Sequence, residues 1–141
     1  MKKYKIYNHA TTKIMYHLIF STKYRRNLLN PIKNEIFNVM KLAEMQNNNF
    51  NIELMEIDKC HMHFMLSIKP FETISNVVKC LKQVSTYYIW KNNHEYMSKF
   101  YHKQHHLWTR GYFISTIGDC SYDKLYEYIK NQWEFAIHIT L

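Results

Sequence analysis

The stretch Phe50-Asn-Ile-Glu-Leu-Met-Glu-Ile-Asp-Lys-Cys-His-Met-His-Phe-Met-Leu-Ser-Ile68 decides the fold. Two runs of strand-forming residues flank Asp58-Lys59, which reads as the tight connection of an antiparallel hairpin. In the first arm Phe50, Ile52 and Leu54 alternate onto one face, and the phase blurs near Met55 and Ile57. In the second arm, Cys60–Ile68, side chains two apart share a face. His61 and His63 therefore point the same way. Met62, Phe64, Leu66 and Ile68 point the other way and anchor the strand in a core. Two imidazoles on one face can grip a metal ion, and a core-backed strand is a rigid platform for such chemistry.

Working outward, Tyr16–Lys23 is strand-like, and Lys23-Tyr-Arg-Arg26 is a basic exit from it. Asn30-Pro31 reads as a helix cap followed by proline at the first helical position. Ile32, Ile36, Phe37, Val39, Met40 and Ala43 recur at helical spacing, which predicts an amphipathic helix over 31–46. Gln46-Asn-Asn-Asn49 is a polar turn. Thr73 or Ser75 caps a second helix with an apolar stripe of Ile74, Val77, Val78, Leu81, Val84 and Tyr88. Residues 92–109 are polar, His-rich and aromatic, and read as a loop. Tyr112–Ile117 is a fourth strand. Gly118-Asp119 turns the chain into a last helix, capped by Ser121 or Asp123 and ending near residue 136. The order is β-α-β-β-α-β plus one helix. That is an α+β, ferredoxin-like (RRM-like) split βαβ with an extra C-terminal helix, in a single domain spanning 1–141.

Hydrophobic residues make up 47% of the 141, enough for a real core and against disorder. No apolar stretch reaches the ~20 residues of a membrane span. The Met1-Lys-Lys start lacks an apolar segment behind it, so no signal peptide is expected. Cys60, Cys80 and Cys120 are odd in number and widely spaced, which suits reduced thiols in a cytoplasm. The net charge of +8 favours a polyanionic partner. Twelve Tyr, eight Phe and three Trp, many beside cations, add stacking faces for unpaired bases.

The last helix carries Tyr128 and Gln132 at i and i+4, on one helical face. A phenol is an oxygen nucleophile once deprotonated or metal-polarised. A Gln carbonyl is a hard ligand that can complete a site begun by two neutral histidines. Such a set leaves positions open for phosphate oxygens on Mg²⁺ or Mn²⁺. A tyrosine nucleophile would keep the energy of the cleaved phosphate bond in a phosphotyrosine link, so that the strand can be rejoined without ATP.

In four ordered places the chain resembles the single-tyrosine HUH transposases of small bacterial insertion sequences. Tyr16-His-Leu-Ile-Phe with Lys23-Tyr-Arg-Arg26 is similar to their first strand. Asp58-Lys-Cys-His61-Met-His63 resembles their HUH box, with Met62 as the hydrophobic residue. Leu107–Gly118 is similar to the segment through the fourth strand, and Tyr128–Gln132 to the catalytic-tyrosine box. The resemblance implies metal binding by His61, His63 and Gln132, and attack on DNA by Tyr128. It implies single-stranded DNA with hairpins as substrate, and a homodimer in which Tyr128 of one subunit serves the His pair of the other. Lys23, Arg25, Arg26 and Arg110 are candidate DNA contacts. Two departures bear on these expectations: nine residues follow Gln132, so no longer tail is expected, and Gly118-Asp119 stands where relatives often have a Gly pair.

Three other readings stay open. An RNA or single-strand binding module of this topology would need neither Tyr128, Gln132 nor the His pair. A domesticated relative would run the same chemistry on chromosomal repeats. A structural zinc protein would want four ligands, and Cys60, next to His61, is expected on the opposite strand face. His17 reads as core, and a second metal site at His102, His105 and His106 is disfavoured.

Overall fold

Alternation in the 50–68 hairpin and in the first strand places three strands side by side. The computed structural model describes residues 14–117, the backbone of Lys5–Tyr7 and Ala10–Thr12, and Glu127 and Asn131. Within them the elements are β1 (Lys5–Tyr7), β2 (Ala10–Thr12), β3 (Met15–Ser21), α1 (Lys33–Asn47), β4 (Phe50–Asp58), β5 (His61–Ile68), α2 (Ile74–Asn92), α3 (His94–Tyr101) and β6 (Phe113–Thr116). One antiparallel sheet has the order β4-β5-β3-β6. β3 and β4 both run antiparallel to β5, so they are parallel to each other and need a crossover, which α1 supplies. β5 and β6 stand in the same relation across β3, joined through α2 and α3. The architecture is α+β. β1 and β2 form a separate two-stranded hairpin that the sequence reading does not contain.

One sheet face packs on the helices. Leu18, Phe20, Met62, Phe64 and Leu66 meet Ile36, Met40 and Ala43 of α1 and Val77, Leu81 and Ile89 of α2 in one buried cluster. Full burial of such a side chain is worth about 1.5–3 kcal/mol. α1 ends where Asn48 takes a left-handed φ of 61° and its N–H donates to the Glu44 carbonyl. α2 begins at Thr73, whose hydroxyl accepts from the Asn76 N–H at 3.1 Å; of the two candidate caps, Thr73 is the one used.

The blurred phase of β4 has a structural cause. Ile52 pairs with Leu66 and Leu54 with Met65, so Glu53 is an extra residue and the register slips by one. Phe50 and Ile52 face the core before the bulge, and Met55 and Ile57 face it after. Leu54, expected alongside Phe50 and Ile52, instead packs with Met15 and Met65 on the other face.

Two further expectations are corrected. The helix cap does not fall at Asn30: Asn30–Ile32 is a 3-10 turn with Leu29 at its N-cap, and α1 starts at Lys33. Residues 92–109 are not all loop. α3 occupies 94–101 because Met97 and Tyr101, one turn apart, are buried, with Tyr96 and Phe100 packed beside them. The expected last helix, with its Gly118 turn, lies outside the described residues, although Glu127 and Asn131 within it are helical and exposed.

Candidate active site

The strand registers assemble the second sheet face residue by residue. His61 lies between Ser21 on β3 and Asp58 on β4, and His63 between Ile19 and Glu56. His17 lies between Met65 and Ser115. The pair is not on an open surface: His61 is 2% exposed, and His63 and His17 are 0%. Both sides of β5 are therefore packed.

Neighbouring groups fix one nitrogen of each ring. His63 Nδ1 is 3.0 Å from His17 Nε2. His61 Nδ1 is 3.5 Å from Cys60 Sγ. Cys60 thus does not simply point away from His61. It precedes β5, after Lys59 at a left-handed φ of 57°, and folds back on its neighbour. Burial lowers the pKa of all three imidazoles. His17 falls to about 4. His63 falls to about 2, with His17 and His61 adding to the effect of burial. At His61, burial is the main cause; Asp58 opposes it and Arg25 adds to it. Burial also raises the Cys60 thiol pKa. Neutral imidazoles are the form a metal ion requires. Among the described residues, no group of three or more His, Cys, Asp or Glu could hold a metal. A metal on the pair would need its third protein donor from elsewhere in the chain or from a second copy.

The basic segment lies at the same end of the sheet. The Thr22 N–H donates to the Cys60 carbonyl (2.9 Å), one residue from His61. Lys23–Arg25 form a 3-10 turn in which Tyr24 and Arg25 have left-handed φ values of 61° and 52°. Tyr24, Arg25 and Arg26 are exposed. Arg110 is also exposed, on the loop whose Thr109 N–H donates to the Ser21 carbonyl at 2.8 Å. Lys82 of α2 holds this loop by donating to three successive carbonyls, those of Thr109, Arg110 and Gly111.

The family model "Transposase IS200 like" matches residues 10–132. The chain belongs to the IS200-like transposases. The transposase for insertion sequence element IS200 of Salmonella typhimurium is 29% identical over 130 residues, 89% of this chain and 81% of that protein. The ISDra2 transposase TnpA of Deinococcus radiodurans is 27% identical over 118 residues, 83% and 82% of the two. Among solved structures, a Deinococcus radiodurans R1 protein reported as a transposase is similar at TM-score 0.67 and 26% identity, covering 94% of this chain and 98% of that one. A REP-associated tyrosine transposase bound to a REP hairpin shares the fold at TM-score 0.57 and 14% identity, covering 95% and 74%.

In this IS200-like transposase the described residues bring together His61, His63 and the Lys23–Arg26 turn. Tyr128 and Gln132 lie outside them. The sequence places His17 in the core; it is buried, and it also touches His63. Sequence alternation puts His17 on one face with Met15 and Ile19, and only the β3–β5 register turns that face toward the pair. No helix among the described residues is long and apolar enough to cross a membrane.

Proposed function

We propose that this IS200-like transposase cleaves and rejoins single-stranded DNA at insertion-sequence ends through a 5′-phosphotyrosine link to Tyr128. The observation that supports the reading best is the buried, neutral His61–His63 pair on a sheet face beside a cationic turn. In the proposed step the Tyr128 hydroxyl gives up its proton and its oxygen attacks the scissile phosphorus. The bond from phosphorus to the 3′ oxygen breaks, and that oxygen takes up a proton. Rejoining reverses the sequence, with a 3′ hydroxyl attacking the phosphotyrosine.

His61 and His63, with Gln132 as third donor, would hold Mg²⁺ or Mn²⁺. The contacts at Nδ1 of both rings favour Nε2 as the ligating atom. A bound ion would polarise the scissile phosphate and steady the leaving 3′ oxygen. The sheet order and the two helical crossovers support a ferredoxin-like split βαβ. In this reading Tyr128 and Gln132 stand on a terminal helix added to it. By analogy with the hairpin-bound neighbour, the DNA partner is read as a hairpin with single-stranded flanks. The active unit is read as a homodimer with Tyr128 supplied in trans. The setting is read as cytoplasmic.

The test is incubation with labelled single-stranded element ends and Mg²⁺, followed by a denaturing gel that resolves protein–DNA adducts. The wild type forms an adduct and Tyr128→Phe forms none. An adduct that persists in Tyr128→Phe, or is lost only in Tyr122→Phe or Tyr126→Phe, overturns the assignment.

A further inference from the structure

Tyr24 stands in an unusual position for a large aromatic residue. It is 62% exposed, and it and Arg25 occupy consecutive left-handed conformations that side chains other than glycine rarely adopt. Such strain persists only where the surroundings enforce it, and it concentrates at functional sites. Here the surroundings do enforce it. The Lys23 N–H donates to the Leu107 carbonyl at 2.8 Å. The Tyr101 hydroxyl donates to the Lys23 carbonyl at 2.7 Å, and the Thr22 hydroxyl to the Arg26 carbonyl at 2.8 Å. The fastened turn holds an aromatic ring out of the core.

The ring has a charged frame. Lys23 Nζ sits 5.3 Å and Arg26 Cζ 5.8 Å from its centroid. The His106 ring stands at 90° to it, with the centroids 6.1 Å apart. A cavity of about 480 Å³ opens beside it, lined by Tyr24, Arg26, Tyr101, Lys103, Gln104 and His106 among others, with no carboxylate in the lining. The ring is exposed and both cations lie over it, so a flat base can take their place on the ring while they turn to the phosphates on either side of that base.

We propose that Tyr24 is a stacking platform for one unpaired DNA base, with Arg26 and Lys103 at the adjoining phosphates. This rests on the reading of the chain as a single-strand DNA enzyme and adds a residue that holds the strand near the His pair. The link is short: the Thr22 N–H bonds to the carbonyl of Cys60, the residue before His61.

The test uses a single-stranded dT oligonucleotide with one central 2-aminopurine, whose fluorescence falls when the base stacks. The wild type, Tyr24→Phe and Tyr24→Gly are compared. Tyr24→Gly removes the ring at a backbone conformation that glycine adopts freely, so the turn keeps its shape. Quenching and affinity should persist in Tyr24→Phe. In Tyr24→Gly quenching should be lost and affinity should fall about tenfold, the order expected for one base–aromatic stack. The difference between wild type and Tyr24→Gly should vanish on an oligonucleotide with an abasic position in place of the probe. Equal quenching and affinity in wild type and Tyr24→Gly overturn the proposal. An equal loss on the abasic strand does so too. If Tyr128-dependent adducts still form in the wild type, either result leaves the assignment of Tyr128, His61 and His63 standing. Absence of adducts with quenching lost in Tyr24→Gly keeps the platform and removes the catalytic reading.

Discussion

His17 and His63 stack with ring centroids 5.2 Å apart at 23° between planes. One imidazole from β3 thereby orients another on β5, and both are out of water. Two neutral rings can share one N–H between facing nitrogens; two cations cannot. The pair therefore ties sheet stability to protonation.

Stability should fall as the pH drops below about 6.5. Unfolded imidazoles protonate near that value. The folded rings resist, down to about 4 for His17 and about 2 for His63. The unfolded chain then binds more protons, so stability is complete above 6.5 and is lost as the pH falls toward 4. Each ring accounts for about 2 kcal/mol between pH 7 and 5, so the expected loss for the pair is about 4 kcal/mol. Urea midpoints at the two pH values measure it, and His17→Gln should reduce the difference. A midpoint that stays level would refute the coupling.

Lys82→Met should loosen the loop that carries Arg110. Three carbonyls lose their donor, at 2.8, 2.9 and 3.1 Å. The cost should be about 1–2 kcal/mol. The Thr109 amide, bonded to the Ser21 carbonyl, should exchange faster with solvent deuterium. Unchanged exchange there would mean that the strand bond alone holds the loop.

Cations that touch phosphate should show themselves in the salt dependence of binding. Replacing Lys23, Arg25, Arg26 or Arg110 singly with Ala should flatten the log–log salt slope by about 0.7 for a single strand at each true contact. Fluorescence anisotropy across a salt series reads the slope. A variant whose affinity drops while its slope is unchanged is not a phosphate contact.

Subunit mixing separates a shared site from a local one. A His61→Ala/His63→Ala subunit combined with a Tyr128→Phe subunit should regain cleavage at one of two sites if Tyr128 acts across the dimer. Heterodimers that form yet stay inactive would assign each site to a single subunit. Both histidines are buried, so this experiment needs a melting control for the double-alanine subunit.

The sheet was legible because apolar alternation is strong in 61–68 and because residues 16–23 are rich in β-branched and aromatic types. The His pair was legible because period two needs only local sequence. Its burial was not, since that depends on what β3 and β4 bring alongside it. α3 was missed because histidines and lysines dilute the apolar signal of Met97 and Tyr101, whose partners are far away in sequence. The β1–β2 hairpin was missed because three-residue strands carry almost no periodicity. The positive φ at Tyr24 was invisible, because the residue type argues against it.

The extra residue at Glu53 keeps the two halves of β4 in phase with one core. Ile52 and Met55 are three residues apart, yet both face the core, because Glu53 takes up the odd residue between them. Drawn straight with Glu53 in the ladder, the strand would put Met55 and Ile57 on the imidazole face and turn Glu56 and Asp58, today's register partners of His63 and His61, into the apolar interior. Loss of Glu53 itself would leave a regular ladder with every later residue on its present face, whereas loss of any one residue from 55 to 57 would shift its neighbours across the sheet. The kink thus lets a sequence out of phase with itself serve one core and one site.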